Sequence, residues 1–386
     1  MKISKRAGKI APSLTMAITA KAKKMKEEGI PVIGFGAGEP DFDTPENIKK
    51  AAIHAINSGF TKYTESGGML ELKKEICKKF QKDNNLFYEP SQVVVSCGAK
   101  HSIYNVLQAI CNEGDEVIIP SPYWLSYPEM VKLASANPVI VETEAKNGFK
   151  ITPEQLANYI NRKTKAIILN SPSNPTGCVY SLEELKALVK ILEEADVFLI
   201  SDEIYEKIIY DVAHVSIASL SQKMYEKTIV INGHSKVYSM TGWRIGYMAG
   251  PKEVAEAVDS MQSHSTSNPT SISQHAAIEA LRGDQSVVDN MVKEFKKRRD
   301  YMVSRIKAMK GLECDIPDGA FYVFPKITGL QRGTSMEVSE KLLKEANIAV
   351  VPGVIFGADE YIRLSYATSL KNIEEGMNRL ERWING

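Results

Sequence analysis

Between Gly67 and Ser201 the chain alternates short runs that have continuous apolar centres with longer mixed segments, and this alternation narrows the possible folds more than any other feature. The runs lie at Gln92–Ser96, Glu116–Pro120, Pro138–Glu142, Ala166–Asn170 and Val197–Ser201. Their centres are apolar without interruption instead of at every second residue, the pattern of strands covered on both faces. Helical patterns fall at about 68–84, 100–112, 153–161 and 181–194, the last opened by a Ser181…Glu184 capping box. Repeated βαβ units predict an α/β fold with a mainly parallel sheet under helices, and such sheets keep their chemistry at the carboxyl ends of the strands.

The texture changes after about residue 284. A long charged helix (about 285–310) leads to strands at Ala320–Phe324, Ala349–Val351 and Tyr361–Ser365. Upstream, a helix at 13–28 is capped by Ser13 and stopped by Gly29, and a short strand enters the glycine loop within Ile30–Phe42. Thr44-Pro45-Glu46 starts a helix with Pro45 at its first position. These features divide the chain into a large domain, 46–284, and a small α+β domain made of 1–45 and 285–386. A length of 386 residues accommodates both. A net charge of +1 argues against a nucleic-acid binder. Five scattered cysteines without a C-x-x-C pair fit neither a disulfide framework nor a metal site, which points to a reducing cytoplasm. No apolar run approaches membrane-spanning length, and the basic N-terminus lacks an apolar h-region.

The run Thr228–Ile231 reads as a buried strand stopped by Asn232-Gly233, and Lys236 follows at once. A solvated surface lysine is the ordinary interpretation. A lysine dehydrated at a strand end instead has a lowered pKa, and its free amine condenses with an aldehyde to a Schiff base. Pyridoxal 5'-phosphate supplies such an aldehyde and asks the protein for an amine, a carboxylate at the ring nitrogen, a phosphate cradle and a stacking surface. Asp202, after V-F-L-I-S, is the candidate carboxylate, with a helix N-cap as the alternative. Tyr205 would share a helical face with Asp202 and donate to the ring's phenolic oxygen. Asn174, in the turn S-P-S-N-P-T-G, is placed to do the same. Gly98-Ala99-Lys100 opens a helix whose free N–H groups suit a phosphate, and Lys100 there opposes the helix dipole unless an anion lies nearby. Arg244 offers a second phosphate contact through its guanidinium fork. Trp124 in S-P-Y-W stacks on a ring or packs in the core. Arg363 interrupts the apolar strand Y-I-R-L-S-Y-A; it binds a substrate carboxylate, forms an internal salt bridge or faces outward. Gly34, Gly36 and Gly38 miss the G-x-G-x-x-G spacing of a nicotinamide-dependent oxidoreductase, and Gly38 marks a close backbone approach to something bound.

Taken together, S-P-S-N-P-T-G, S-D-E-I-Y, H-S-K-V-Y-S-M-T-G-W-R-I-G and R-L-S-Y-A resemble the class I aminotransferases of pyridoxal-phosphate fold type I, over nearly the whole chain. P-S-L-T, G-A-G-E-P-D-F-D-T-P, S-P-Y-W-L-S-Y-P-E-M and G-A-F-Y are similar to the bacterial and archaeal aspartate aminotransferase branch. The resemblance implies a Lys236 aldimine, Asp202 at the pyridinium, Asn174 and Tyr205 at the phenolic oxygen and Trp124 stacked on the ring. It implies a phosphate held by Gly98, Ala99, Lys100 and Arg244, and a substrate α-carboxylate on Arg363 with Asn174 and the Gly38 backbone. Tyr63 would reach the neighbouring subunit's phosphate, which makes a homodimer with shared sites. The implied reaction is ping-pong transamination of L-aspartate and 2-oxoglutarate to oxaloacetate and L-glutamate. An aromatic, alanine or kynurenine aminotransferase, a carbon–sulfur lyase and a catalytically silent ligand-binding regulator are the alternatives. Two positions depart from the pattern. Gly233 stands where many relatives carry a phosphate-binding serine, leaving Ser235 as a substitute, and no arginine matches the clamp for a dicarboxylate side chain, so Lys100 is assigned to the distal carboxylate. Relatives that accept prephenate have a lysine before Pro-Ser, where this chain has Ala11.

Overall fold

The structure is a computed structural model that describes residues 3–4, 7–10 and 14–386; Ala11 and the Ser13 cap lie outside them. Strand β1 is Ile33–Gly34, followed by β2 (Val93–Ser96), β3 (Glu116–Ser121), β4 (Asn137–Glu142), β5 (Thr164–Asn170), β6 (Phe198–Asp202), β7 (Thr228–Gly233) and β8 (Gly246–Ala249). Strands β2 to β8 form one sheet in the order β2-β8-β7-β6-β5-β3-β4. All neighbours run parallel except β8, which is antiparallel to β2 and β7.

Every residue of β2, β7 and β8 is buried, which accounts for their unbroken apolar sequence. Alternate side chains serve opposite faces. Val117, Ile119, Ile168, Ile200, Ile229 and Ile231 meet the helices Ala99–Ile110, Ser126–Leu133 and Lys252–Ser263 on one side. Ile118, Ile167, Leu169 and Leu199 meet helix Leu182–Leu192 on the other, and Val230 meets helix Leu70–Asn84. The Ser181…Glu184 capping box is present.

Downstream, helix Ser286–Ala308 leads to β9 (Tyr322–Val323), β10 (Ile348–Ala349), β11 (Val351–Pro352) and β12 (Ile362–Ser365). The single strand expected at Ala349–Val351 is divided at Val350. β10 pairs with β1, whereas β11 joins β12, which also pairs with β9. Phe35 lies between the two sheets, its N–H donating to Ala349 O and its carbonyl accepting from Ser365 N. One apolar cluster joins Phe295, Met302 and Ile306 of the long helix to Phe321, Tyr322, Leu364 and Tyr366, and reaches Ile204 and Tyr205 after β6.

One further expectation changes, at the helix start after Thr44. Pro45 is the cap residue, and Glu46 the first helical one. Thr44 does not cap; its hydroxyl donates to Ser239 O at 2.7 Å and accepts from Trp243 Nε1 at 2.9 Å. Among the described residues no helix is long and apolar enough to cross a membrane, and all five cysteines are free.

β8 can cross the start of helix Ala99–Ile110 only because residue 246 is glycine. A Cβ there would lie 2.1 Å from Ala99 N and 2.5 Å from Gly98 C. Gly246→Ala is expected to lower the unfolding free energy by about 3 kcal/mol, as overpacking does. Gly34→Ala, with open space at its Cβ, is expected to change it by less than about 0.5 kcal/mol. Urea denaturation of both variants measures the difference.

Candidate active site

β2, β3, β5, β6 and β7 end at one edge of the sheet, and the chain beyond them carries Gly98, Trp124, Asn174, Asp202 and Lys236. Lys236 is half-buried in the cleft wall, and its ammonium donates to Gly38 O at 2.5 Å. No carboxylate pairs with it among the described residues. Dehydration pulls its pKa down to about 8; Glu39 and Asp202 oppose the shift while Arg363 and Arg244 reinforce it. The amine is therefore partly free near neutral pH.

Asp202 is buried at the end of β6. Its Oδ2 accepts from the Tyr127 hydroxyl at 2.6 Å and its Oδ1 from Ile204 N–H at 3.3 Å. Dehydration raises its carboxyl from 3.8 to about 6, against the pull of Tyr127. No helix follows, so the N-cap alternative fails. Successive turns, Glu206 N–H to Glu203 O and Ile208 N–H to Tyr205 O, present Tyr205 instead. The Tyr205 hydroxyl lies 2.9 Å from that of Tyr322.

Arg363 is only 3% exposed and has no carboxylate partner among the described residues. Its Nη1 donates to Asn174 Oδ1 at 2.8 Å and its Nη2 to Gly36 O at 2.9 Å, while Nε has no partner. The guanidinium lies 4.4 Å from the Tyr322 ring centroid and 5.1 Å from that of Phe356. Neither a salt bridge nor an outward face explains it. Asn174 is held in turn by its N–H to Asn170 Oδ1 at 2.8 Å.

Gly98 has φ +95° and precedes helix Ala99–Ile110. Arg244 lies across that helix start, donating to Cys97 O at 3.2 Å and Thr241 O at 2.9 Å. A Cβ at Gly98 would meet Arg244 Nη2 at 2.6 Å. At Gly233 a Cβ would lie 2.9 Å from Gly246 Cα, so no serine fits there. Ser235 is buried, and its hydroxyl makes no hydrogen bond among the described residues. Lys100 Nζ stands 4.7 Å from the Trp124 ring centroid. Lys100 is exposed as a whole, but partial dehydration and then the charge of Arg244 lower its pKa. Half-buried Trp124 meets Tyr127 edge-on at 5.3 Å.

Tyr63 is not brought to this cleft; it is 90% exposed, in a surface depression with Phe60, Met69 and Leu70. Residues without a role assigned from sequence also line the cleft. Gly36 bonds Arg363, Tyr322 touches both Tyr205 and Arg363, and Glu39 accepts from Thr241 Oγ1 at 2.7 Å. Tyr127 sits on a helix that contains a proline and gave no helical signal.

An unpaired amine, a buried carboxyl, an unpaired buried guanidinium and a second guanidinium at a helix start fit a phosphorylated pyridine aldehyde and an amino acid. The profile of the family described as "Aminotransferase class I and II" matches residues 30–380. The chain belongs to that family.

This aminotransferase is 52% identical over 387 residues to "Aspartate aminotransferase" of Bacillus sp. (strain YM-2), covering 99% of each chain. The aspartate aminotransferase structure from Rhizobium meliloti is similar with a TM-score of 0.96 and 42% identity, over 100% of this chain and 99% of that one. The Thermus thermophilus aspartate aminotransferase with maleate gives 0.96 and 42% over 99% of each. Family membership implies pyridoxal phosphate as the coenzyme.

Tyr127 holds the aminotransferase's Asp202 toward its ionised form. Tyr127→Phe is expected to raise the Asp202 titration in the coenzyme-free protein by about one to two units, the worth of a hydrogen bond to a charged acceptor. Because the folded pKa already exceeds the ordinary 3.8, this group's contribution to stability is present below about pH 4 and lost as pH rises through about 6. The variant moves that loss to higher pH. Carbon-13 NMR of Asp202, alongside urea denaturation against pH, checks both.

Proposed function

We propose that the chain is a cytoplasmic, homodimeric aspartate aminotransferase that carries the amino group of L-aspartate to 2-oxoglutarate, yielding oxaloacetate and L-glutamate. The observation that carries this reading is Arg363, a buried guanidinium with no counter-ion beside the dehydrated amine of Lys236. A bidentate carboxylate is the group such a guanidinium lacks. The bound coenzyme supplies an aldehyde carbon and an electron-withdrawing pyridinium that stabilises negative charge at the substrate Cα.

The chain's own residues divide the remaining work. Asp202, fixed by Tyr127, keeps the pyridine nitrogen protonated. Asn174 and Tyr205 hold the phenolic oxygen, and Trp124 stacks on the ring. Gly98, Ala99, Ser235 and Arg244 take the phosphate, joined by Tyr63 from the second subunit of the dimer. Arg363 and Asn174 bind the α-carboxylate, with the Gly38 backbone alongside. Lys100 takes the distal carboxylate, which supports a dicarboxylic substrate. Lys236 Nζ would hold and move the proton taken from the substrate Cα, a role suited to an amine with a pKa of about 8. The segment from Gly36 to Thr44 bonds Arg363, Lys236, Thr241 and Trp243. Closure of a small unit, 1–45 with 285–386, onto a large one, 46–284, would exclude water from the cleft.

Lys236→Ala is expected to reduce turnover by about 10⁴-fold, the upper range for a general acid–base group. For the wild type, kcat/KM for aspartate is expected to exceed those for alanine, phenylalanine and cystathionine by about tenfold or more, the worth of one charge-assisted contact. A preference for a neutral amino acid refutes the aspartate assignment. Arg363→Lys loses the fork and is expected to weaken maleate binding by about 10- to 100-fold, measured by thermal-shift titration. Mixing Lys236→Ala and Tyr63→Ala dimers is expected to restore activity through hybrids with one complete site; no restoration refutes site sharing.

A further inference from the structure

Asp202 and Tyr205 face the cleft, but Glu203 and Glu206, from the same turn, face the opposite way into the protein. Glu203 is 1% exposed and Glu206 4%. All four of their carboxylate oxygens have donors. Glu203 Oε1 accepts from Ser201 Oγ at 2.8 Å and Ser216 Oγ at 2.7 Å, and its Oε2 lies 3.0 Å from His214 Nε2. Glu206 pairs with the Lys79 ammonium, and its Oε2 accepts from Asn84 Nδ2 at 2.8 Å. Glu203, Glu206 and His214 place ligand-type atoms within 4.8 Å of one another. A metal is nonetheless not what the cluster needs, because Lys79 already occupies the cation position.

The charge count is informative. Two buried carboxylates meet one ammonium, so the cluster is neutral only when His214 carries a proton. Of the other titratable groups facing it, Asp202 on the cleft side is pushed up to about 6, chiefly by dehydration with Glu203 adding to the shift, and the rest stay neutral. Burial raises the phenols of Tyr88, Tyr238 and Tyr247, and it lowers His234 to about 3. Asp83 and Lys207 pair with each other at 2.9 Å outside the cluster.

We propose that Lys79, Glu203, Glu206 and His214 form a charge-balanced clamp that positions Asp202 and Tyr205 for the coenzyme from behind the cleft. The clamp spans helix Leu70–Asn84, the turn after β6 and the segment around His214. An unbalanced buried charge is costly enough to be relieved by movement or hydration of the turn. Such relief releases the geometry of Asp202 and Tyr205. Burial works against the His214 proton, but Glu203 and Glu206 raise the pKa. The clamp is therefore closed at lower pH and opens as pH rises through the His214 titration. These four are positioning residues and touch neither substrate nor coenzyme.

The proposal rests on the coenzyme reading above. Its test is the release rate of pyridoxamine 5'-phosphate, a form not covalently bound to Lys236, from about pH 6 to about pH 9, around the histidine range. Wild-type release is expected to accelerate about tenfold across that range, the effect of one pKa unit of coupling. His214→Gln is expected to release rapidly at every pH. Glu203→Gln/His214→Gln restores the charge balance and is expected to return to within about threefold of the slow wild-type rate. Glu203→Gln alone needs no imidazolium and is expected to flatten the profile, which tests the clamp even if His214→Gln does not fold. A wild-type profile that Glu203→Gln leaves unchanged, or a double variant as fast as His214→Gln, overturns the clamp. Wild-type protein that takes up no pyridoxamine phosphate refutes the coenzyme reading itself and the clamp with it.

Discussion

Three ionisable groups, Lys236, Asp202 and Arg363, are taken out of water beside the same cleft without being allowed to neutralise one another. An amine and a carboxyl in free approach would form an ion pair, and both shifts seen here would shrink. Instead Lys236 is held by a carbonyl, Asp202 by a hydroxyl and Arg363 by an amide and a carbonyl. Neutral partners fix position without cancelling charge. Keeping such groups unpaired is unfavourable for the empty protein and useful only when a ligand completes them. The surrounding sheet and helices provide the stability that tolerates this arrangement.

Those three groups sit on elements far apart in sequence, so their spacing depends on tertiary packing. Two carriers dominate. The β7–β8 connection bears both Lys236 and Arg244, and the segment after β1 bridges the C-terminal strands to that connection through Gly36, Gly38 and Glu39. The segment thus touches the unpaired Arg363 guanidinium and the Lys236 amine within three residues of chain. A displacement of either sheet relative to the other is registered at both groups together.

Much of this was legible in the sequence, for a physical reason: strands buried on both faces have no polar period and stand out from amphipathic helices. The same reason made Lys236, Asp202 and Arg363 conspicuous, as charges interrupting or ending apolar runs. What escaped was set by contacts distant in the chain. β8 begins at a glycine that crosses another backbone, and its four residues gave no strand signal of their own. The helix bearing Tyr127 contains Pro128. The expected strand near Ala349 is two short ones whose partners, Ile33 and Arg363, lie hundreds of residues apart. Tyr127 acts through Asp202, and Tyr322 through Tyr205 and Arg363, all far from them in sequence. The departure at Gly233, unexplained by its neighbours, follows from the closeness of Gly246.

The Gly233–Gly246 pairing has one more consequence. Because both ends of the intervening chain are seated against backbone, the loop from His234 to Ile245 acts as a ruler of fixed length between amine and guanidinium. Adding or removing a residue inside it would put both out of register in one step. Length changes that keep both groups in place therefore have to fall outside this hairpin.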